Sequence, residues 1–204
     1  MNDPPPALAE PLIHLASRSP RRQALLAQIG VSFHYLPVAV DEGQRPAEPP
    51  RDYVARLALA KARAAWALAQ RHGDLPVLGA DTTVVLGEAI LGKPADADEA
   101  RRMLAALGGQ SHRVMSAVAL VQGPREAVRV NVSEVRFRPL APAEIDAYVA
   151  TGEPLDKAGA YGIQGVGGAF VQELRGSYSG VMGLPLEDTT ALLRAFGIPW
   201  LGLP

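Results

Sequence analysis

The chain contains no cysteine, which excludes disulfides, thiolate metal sites and a cysteine nucleophile. Only four histidines occur among 204 residues, and none stand in a His-Glu-x-x-His pattern, so the common histidine-built catalytic metal site is missing too. No apolar run approaches the roughly 18 to 20 residues of a membrane span, and the N-terminal stretch lacks a secretory pattern. The expectation is a cytoplasmic protein without a membrane partner. A formal net charge of −1, with no basic stripe interleaved with aromatics, argues against nucleic acid as a partner but leaves room for a local basic pocket. There is neither a Walker A sequence nor a Gly-x-Gly-x-x-Gly set between a strand and a helix. Gly176-Ser-Tyr-Ser-Gly180 misses the nucleophile elbow because its second serine comes one place late. No serine, cysteine or histidine nucleophile has an evident partner, so any hydrolysis would proceed by direct attack of water.

What is present begins at Leu12–Ala16, a short apolar run suited to a buried strand. Residues 1–11, with four prolines, read as a flexible extension ahead of it. Ser19 then supplies an N-cap oxygen and Pro20 suits the first helical position, so a helix is predicted from there to Gly30. Arg21 and Arg22 fall in its first turn, where the helix dipole disfavours cations. A solvated surface pair would read the same way; the alternative is an anion bound at the helix N-terminus, most simply phosphate.

Val31–Val40 reads as a second strand, followed by Asp41-Glu42-Gly43 and a proline-marked loop. Arg51 to about Arg71 reads as a long helix whose apolar stripe includes Val54, Leu57, Ala64 and Leu68, with Lys61 on the same stripe. Such a lysine either snorkels to the surface along its own stem or reaches into a cleft to hold an anion. Val77–Leu78 and Thr82–Leu86 read as two strand-like runs flanking Gly79-Ala80-Asp81. A carboxylate inside an apolar, β-rich run is costly unless paired, hydrogen-bonded or metal-bound. Asp81 is therefore either a structural carboxylate taking loop N–H bonds or a functional one, with Lys93 following shortly after the turn. Asp96 to Glu99 is a capping-box pattern opening a helix through Leu107. His112 heads the next strand, where it could touch substrate or, more commonly, bond loop carbonyls. Pro142–Val149 reads as a short helix, Ala169–Leu174 as a strand, and Leu186–Phe196 as the last helix. The most glycine-dense segment holds five glycines between Gly159 and Gly168. It sets Asp156, Lys157 and Gln164 on a backbone that could close around a ligand.

The polar residues at odds with their local structure are Ser19, Arg21, Arg22, Glu42, Lys61, Asp81, Lys93 and Gln164. Four of them are cations, which suits a polyphosphate. Two are carboxylates, which suit a hard cation such as magnesium, or one of them a general base on water. Phosphoanhydride hydrolysis needs an anion clamp, a metal and a water activator.

Eight short motifs now stand in order: Leu15-Ala-Ser-Arg-Ser-Pro-Arg-Arg22, Asp41-Glu42, Lys61-Ala-Arg63, Gly79-Ala-Asp-Thr82, Gly92-Lys-Pro94, Gly109-Gln-Ser-His112, Tyr161-Gly-Ile-Gln-Gly165 and Gly183-Leu-Pro185. In these the chain resembles the Maf-like nucleoside triphosphate pyrophosphatases, over about Leu12 to Phe196. The resemblance implies a single catalytic domain over residues 12–204. It implies an α/β fold of the Maf and ITPase-like kind, an elongated mixed β-sheet flanked by helices with two lobes around a central cleft. It further implies cleavage between the α and β phosphates of a nucleotide, with a divalent metal, magnesium or manganese. By the same likeness Asp81 is the proton acceptor and a metal ligand with Glu42. Ser19, Arg22, Lys61 and Lys93 hold phosphates, while Arg21, Thr82 and Gln164 bear on the choice of base. The Tyr-Gly-Ile-Gln-Gly form is similar to the branch acting on dTTP and UTP, and a glutamine amide suits the carbonyl and N3–H edge of thymine or uracil. Two rivals stand beside this reading: a nucleotide-binding regulator of cell division without turnover, and the same chemistry on a modified or methylated base. A homodimer is the ordinary expectation for a soluble enzyme of this size.

Overall fold

A computed structural model describes residues 10–70 and 73–201. Nine residues of the proline-rich extension, and the expected end of the long helix at residues 71 and 72, lie outside the described residues. Strand β1 (Ile13–Ala16) leads through Ser17-Arg18-Ser19 into α1 (Pro20–Gln28) and then β2 (Phe33–Tyr35). Helix α2 (Pro50–Ala69) follows, then β3 (Val77–Leu86), β4 (Ala89–Leu91) and α3 (Ala97–Leu107). A long hairpin of β5 (Ser111–Gln122) and β6 (Arg125–Phe137) precedes α4 (Pro142–Ala150). Three 3-10 turns, β7 (Val171–Arg175), α5 (Tyr178–Met182) and α6 (Leu186–Ala195) complete the order.

The strands form one mixed seven-stranded sheet in the order β2-β1-β3-β5-β6-β7, with β4 pairing β3. β1 is parallel to both β2 and β3; the remaining pairs are antiparallel. Alternation along the strands sorts the core into three clusters. On one face α2 packs Val54, Ala58, Ala62 and Ala65 against Val77, Val85, Met115 and Ala117. The other face carries two apolar clusters. One joins α1 and α6 to Leu78, Ala80, Val118 and Leu120. The other joins α3 and α4 to Val84, Val114, Val135 and Phe137. Between them the same strand faces hold Thr82 and Ser116, paired across β3 and β5, with Ser116 opposite Asn131 on β6. A polar seam thus parts two lobes, as expected for the α/β fold with a central cleft.

Four local expectations need correction. The second strand is only three residues long: Leu36 still donates to Leu15 O at 3.0 Å, but β1 ends at Ala16 and offers β2 no further partner. Val77–Leu86 is one strand rather than two runs around a break. Gly79 lies inside it because α2 presses close, so that a Cβ there would stand 2.4 Å from Ala58 O and 2.7 Å from Ala62 N. The buried face of α2 is accordingly the alanine side, whereas Ala64 is only partly buried and Leu68 is 50% exposed. The last strand starts at Val171 because residues 166–170 form a 3-10 turn. Among the described residues, no helix is long and apolar enough to cross a membrane.

Candidate active site

β1 stops at Ala16, opposite Gly79 of β3, and β4 joins β3 only from Val84. Because β5 pairs the far edge of β3 along its length, residues 80–83 present an unpaired edge between β1 and β4. This edge lies beyond the carboxyl end of β1, where the chain turns one way to β2 and the other to β3. Open α/β sheets bind ligands at such a switch point. A cavity of about 580 Å³ opens there. It is lined by all nine residues singled out from sequence: Ser19, Arg21, Arg22, Glu42, Lys61, Asp81, Thr82, Lys93 and Gln164. Adding Arg18 and Lys157, six cations face three carboxylates, the third being Asp156. That surplus suits a polyanion.

Asp81 is buried on the α2 side of β3, and Lys61 Nζ lies 2.7 Å from its Oδ1 and 2.6 Å from Glu42 Oε1. Lys61 therefore reaches the cleft instead of snorkelling away, and Asp81 takes a charged partner instead of loop N–H bonds. Burial pushes the Asp81 carboxyl above the ordinary aspartate range, although Lys61 and Arg22 pull it down. For Glu42 burial also acts upward, but the hydrogen bond and charge of Lys61, with Lys93 and Arg22, outweigh it and leave the carboxyl below the ordinary range. Two carboxylates with opposite perturbations in one cleft can divide the roles of proton acceptor and permanent anion.

Thr82, next along β3, points to the opposite face. Arg22 Nη2 donates to its hydroxyl at 3.1 Å, while Nε donates to Gly183 O at 2.8 Å and Nη1 to Ser17 Oγ at 3.2 Å. Ser116 Oγ gives its own proton to Gly180 O at 2.6 Å, which leaves Thr82 as the donor in their 2.8 Å contact. Arg22 is thus fixed by three acceptors from three parts of the chain, and burial lowers its pKa. Arg21 is looser, 3.8 Å from Asp156 across the cleft. Ser19 begins α1 without a capping side-chain bond; its N–H donates to Ser17 Oγ instead. Gln164 is exposed on the glycine loop. The loop straddles the lobes, with Tyr161 in the α3/α4 cluster and Ile163 against the α1/α6 cluster.

His112 takes neither anticipated role. It is 2% exposed, packs edge-on to Phe137, and its Nε2 meets Tyr161 Oη at 2.8 Å. Burial lowers its pKa to about 4, so it is a neutral support beneath Tyr161. Sequence reasoning missed Ser17, Tyr53, Ser116 and Glu153. Tyr53 donates its hydroxyl to Glu42 O at 3.0 Å and ties the Glu42 loop to α2. Spacing on α2 places Tyr53 two turns before Lys61, the one signal available for it. Among the described residues, no group of three His, Asp or Glu side chains forms a metal cage.

The Maf-like protein family pattern matches residues 12–196. A dTTP/UTP pyrophosphatase of Anaeromyxobacter dehalogenans is 56% identical over 196 residues, covering 93% of this chain and 97% of that protein. One from Aromatoleum aromaticum is 53% identical, covering 92% and 96%. One from Escherichia coli O157:H7 is 53% identical, covering 90% and 92%. The solved Ham1 protein of Staphylococcus aureus aligns over 90% of this chain and 96% of that chain, at TM-score 0.47 and 13% identity, too distant to inform the site. A family match over nearly the whole chain, at more than half identity to its relatives, makes this protein a member of the Maf-like family.

Proposed function

We propose that this protein hydrolyses dTTP and UTP to the nucleoside monophosphate and pyrophosphate. The observation that carries the chemistry is Asp81: a buried carboxylate with a raised pKa, on an unpaired strand edge, in a cleft whose charged lining is mostly cationic. The observation that carries the substrate is the identity, above one half, to proteins described as dTTP/UTP pyrophosphatases.

In this reading Arg22, Lys61, Lys93 and Ser19 hold the triphosphate against the N-terminus of α1. Asp81 accepts a proton from a water as that water's oxygen bonds to phosphorus. The α–β anhydride bond then breaks, its electron pair leaves with pyrophosphate, and the accepted proton passes to solvent. Lys61 favours the ionised form of Asp81 and, with the other cations, offsets charge on the phosphoryl oxygens. Glu42 and Asp81 converge on one ammonium position, and two such oxygen donors fit a magnesium or manganese ion that takes its remaining ligands from substrate and water. When bound, that ion would neutralise phosphate charge. Gln164, with Arg21 and Thr82, would read the base, the amide offering a donor and an acceptor to thymine or uracil. The protein then acts on free nucleotides in the cytoplasm, without nucleic acid or membrane, and a homodimer is compatible with it.

The test is chromatography of products from dTTP, UTP, CTP, GTP, dITP and 7-methyl-GTP incubated with the protein and magnesium. Monophosphate and pyrophosphate from dTTP and UTP are expected. Turnover confined to another base would overturn the specificity, and tight binding without turnover would favour a regulator.

A further inference from the structure

Gln164 stands on a glycine loop with no strand or helix to hold it, yet both flanks of the loop are pinned by residues outside the nucleotide-facing set. Tyr148 Oη accepts from Gly162 N at 3.3 Å and donates to Glu153 Oε1 at 2.8 Å. The Glu153 carboxylate accepts from Val166 N at 3.0 Å through Oε2 and from Gly167 N at 3.3 Å through Oε1. Glu153 is itself held from behind, since Lys157 Nζ donates to its carbonyl at 2.6 Å. The glycines admit this grip. A Cβ on Gly165 would stand 2.3 Å from Glu153 Oε1, and one on Gly167 would stand 2.6 Å from Tyr148 Oη. Gly165 has φ −100°, which any residue can adopt, so a side chain there would contest the space of the carboxylate and not the backbone conformation.

We propose that Glu153 is a positioning residue for base selection: by holding the Val166 and Gly167 amides and the Tyr148 hydroxyl, it sets where Gln164 stands in the cleft. The proposal rests on the reading that Gln164 contacts the base. Glu153 is absent from the cavity lining and from the Asp81, Lys61 and Glu42 cluster. Its loss therefore acts on the choice of nucleotide and leaves the phosphate chemistry in place.

The experiment compares wild type, Glu153→Ala, Gly165→Ala and the double variant on dTTP, UTP and CTP, with a thermal melt of each. For Glu153→Ala, KM for dTTP and UTP should rise and the preference over CTP should fall, each about tenfold, with kcat nearly unchanged. Gly165→Ala, which pushes the carboxylate off its donors, should behave alike. It also keeps the test open if Glu153→Ala fails to fold. The double variant should be no worse than Glu153→Ala alone, because the clash and the grip are lost together. Glu153→Gln, with one acceptor oxygen left, should recover part of the preference. Amide exchange at Val166 and Gly167 should quicken in Glu153→Ala. Unchanged KM and preference in a folded Glu153→Ala, an equal fall of kcat on every nucleotide, or additive effects in the double variant would overturn the role of Glu153. A wild type that shows no preference for dTTP and UTP would instead overturn base reading by Gln164, and the selection role with it.

Discussion

Lys61 on α2 and Asp81 on β3 meet at 2.7 Å, and the closeness of their two backbones makes the meeting possible. Gly79 shares the strand face of Asp81 two residues away, and the α2 backbone at Ala58 and Ala62 fills the space its Cβ would need. Gly79→Ala should therefore force helix and strand apart, at a cost of about 1–3 kcal/mol or more. It should also lengthen the Lys61–Asp81 contact. A lower melting temperature together with a fall in kcat is the expected result. Lost stability with full activity would show that the pair tolerates the displacement.

Burial sets the direction of pH dependence. Asp81 must be ionised to accept a proton and its pKa is raised, so kcat/KM should fall on an acid limb lying above the ordinary aspartate range. Lys61 pulls that pKa down, so Lys61→Met should move the limb to higher pH as well as weaken substrate binding. Rates measured across the acid range in both proteins decide it. An unmoved limb, with metal binding lost on Asp81→Asn, would make Asp81 a ligand and not the base.

The same raised pKa has a sign for stability. A carboxyl that holds its proton more tightly when folded contributes fully below its unfolded pKa, and the contribution is lost as pH rises through the folded pKa. At neutral pH, well above the unfolded pKa, placing Asp81 in its buried site is a net cost, and Lys61 keeps Glu42 as a partner when Asp81 is replaced. Asp81→Asn should accordingly melt at or above the wild-type temperature at pH 7, with the gain fading in acid.

Arg22 joins Ser17, Thr82 and Gly183 through a fork that lysine cannot reproduce. Arg22→Lys leaves at least two acceptors without their donor, a loss of about 1–3 kcal/mol. That corresponds to a fall in melting temperature of roughly 2–12 °C for a chain of this size. Activity should fall with it, since the same guanidinium faces the cleft. An unchanged melt would mean that water replaces the lost donors.

The clefts and clamps legible in the sequence were those where a residue contradicts its own surroundings. Asp81 in an apolar strand, Lys61 on an apolar helical stripe and two arginines at a helix start each announce an unseen partner. Ser116 and Glu153 announce nothing, because their partners are set by register and by distant backbone. Ser116 meets Thr82 only through the pairing of β5 with β3, and Glu153 grips amides 13 and 14 positions away. Leu68 misled because alanine, the poorer hydrophobe, lets α2 lie closer to Gly79 than leucine would. Gly79 looked like a break between strands because a glycine kept for close approach has the same spelling as one kept for a turn.

The most direct measurement is the rate of pyrophosphate release from dTTP by Asp81→Asn beside wild type, with magnesium and with the fold of each checked by its melt. A loss of about 10² to 10⁴ in kcat, with the melt unchanged or raised, is expected for a missing proton acceptor. A folded Asp81→Asn that turns over dTTP at close to the wild-type rate would contradict the role given to Asp81 and to the strand edge that carries it.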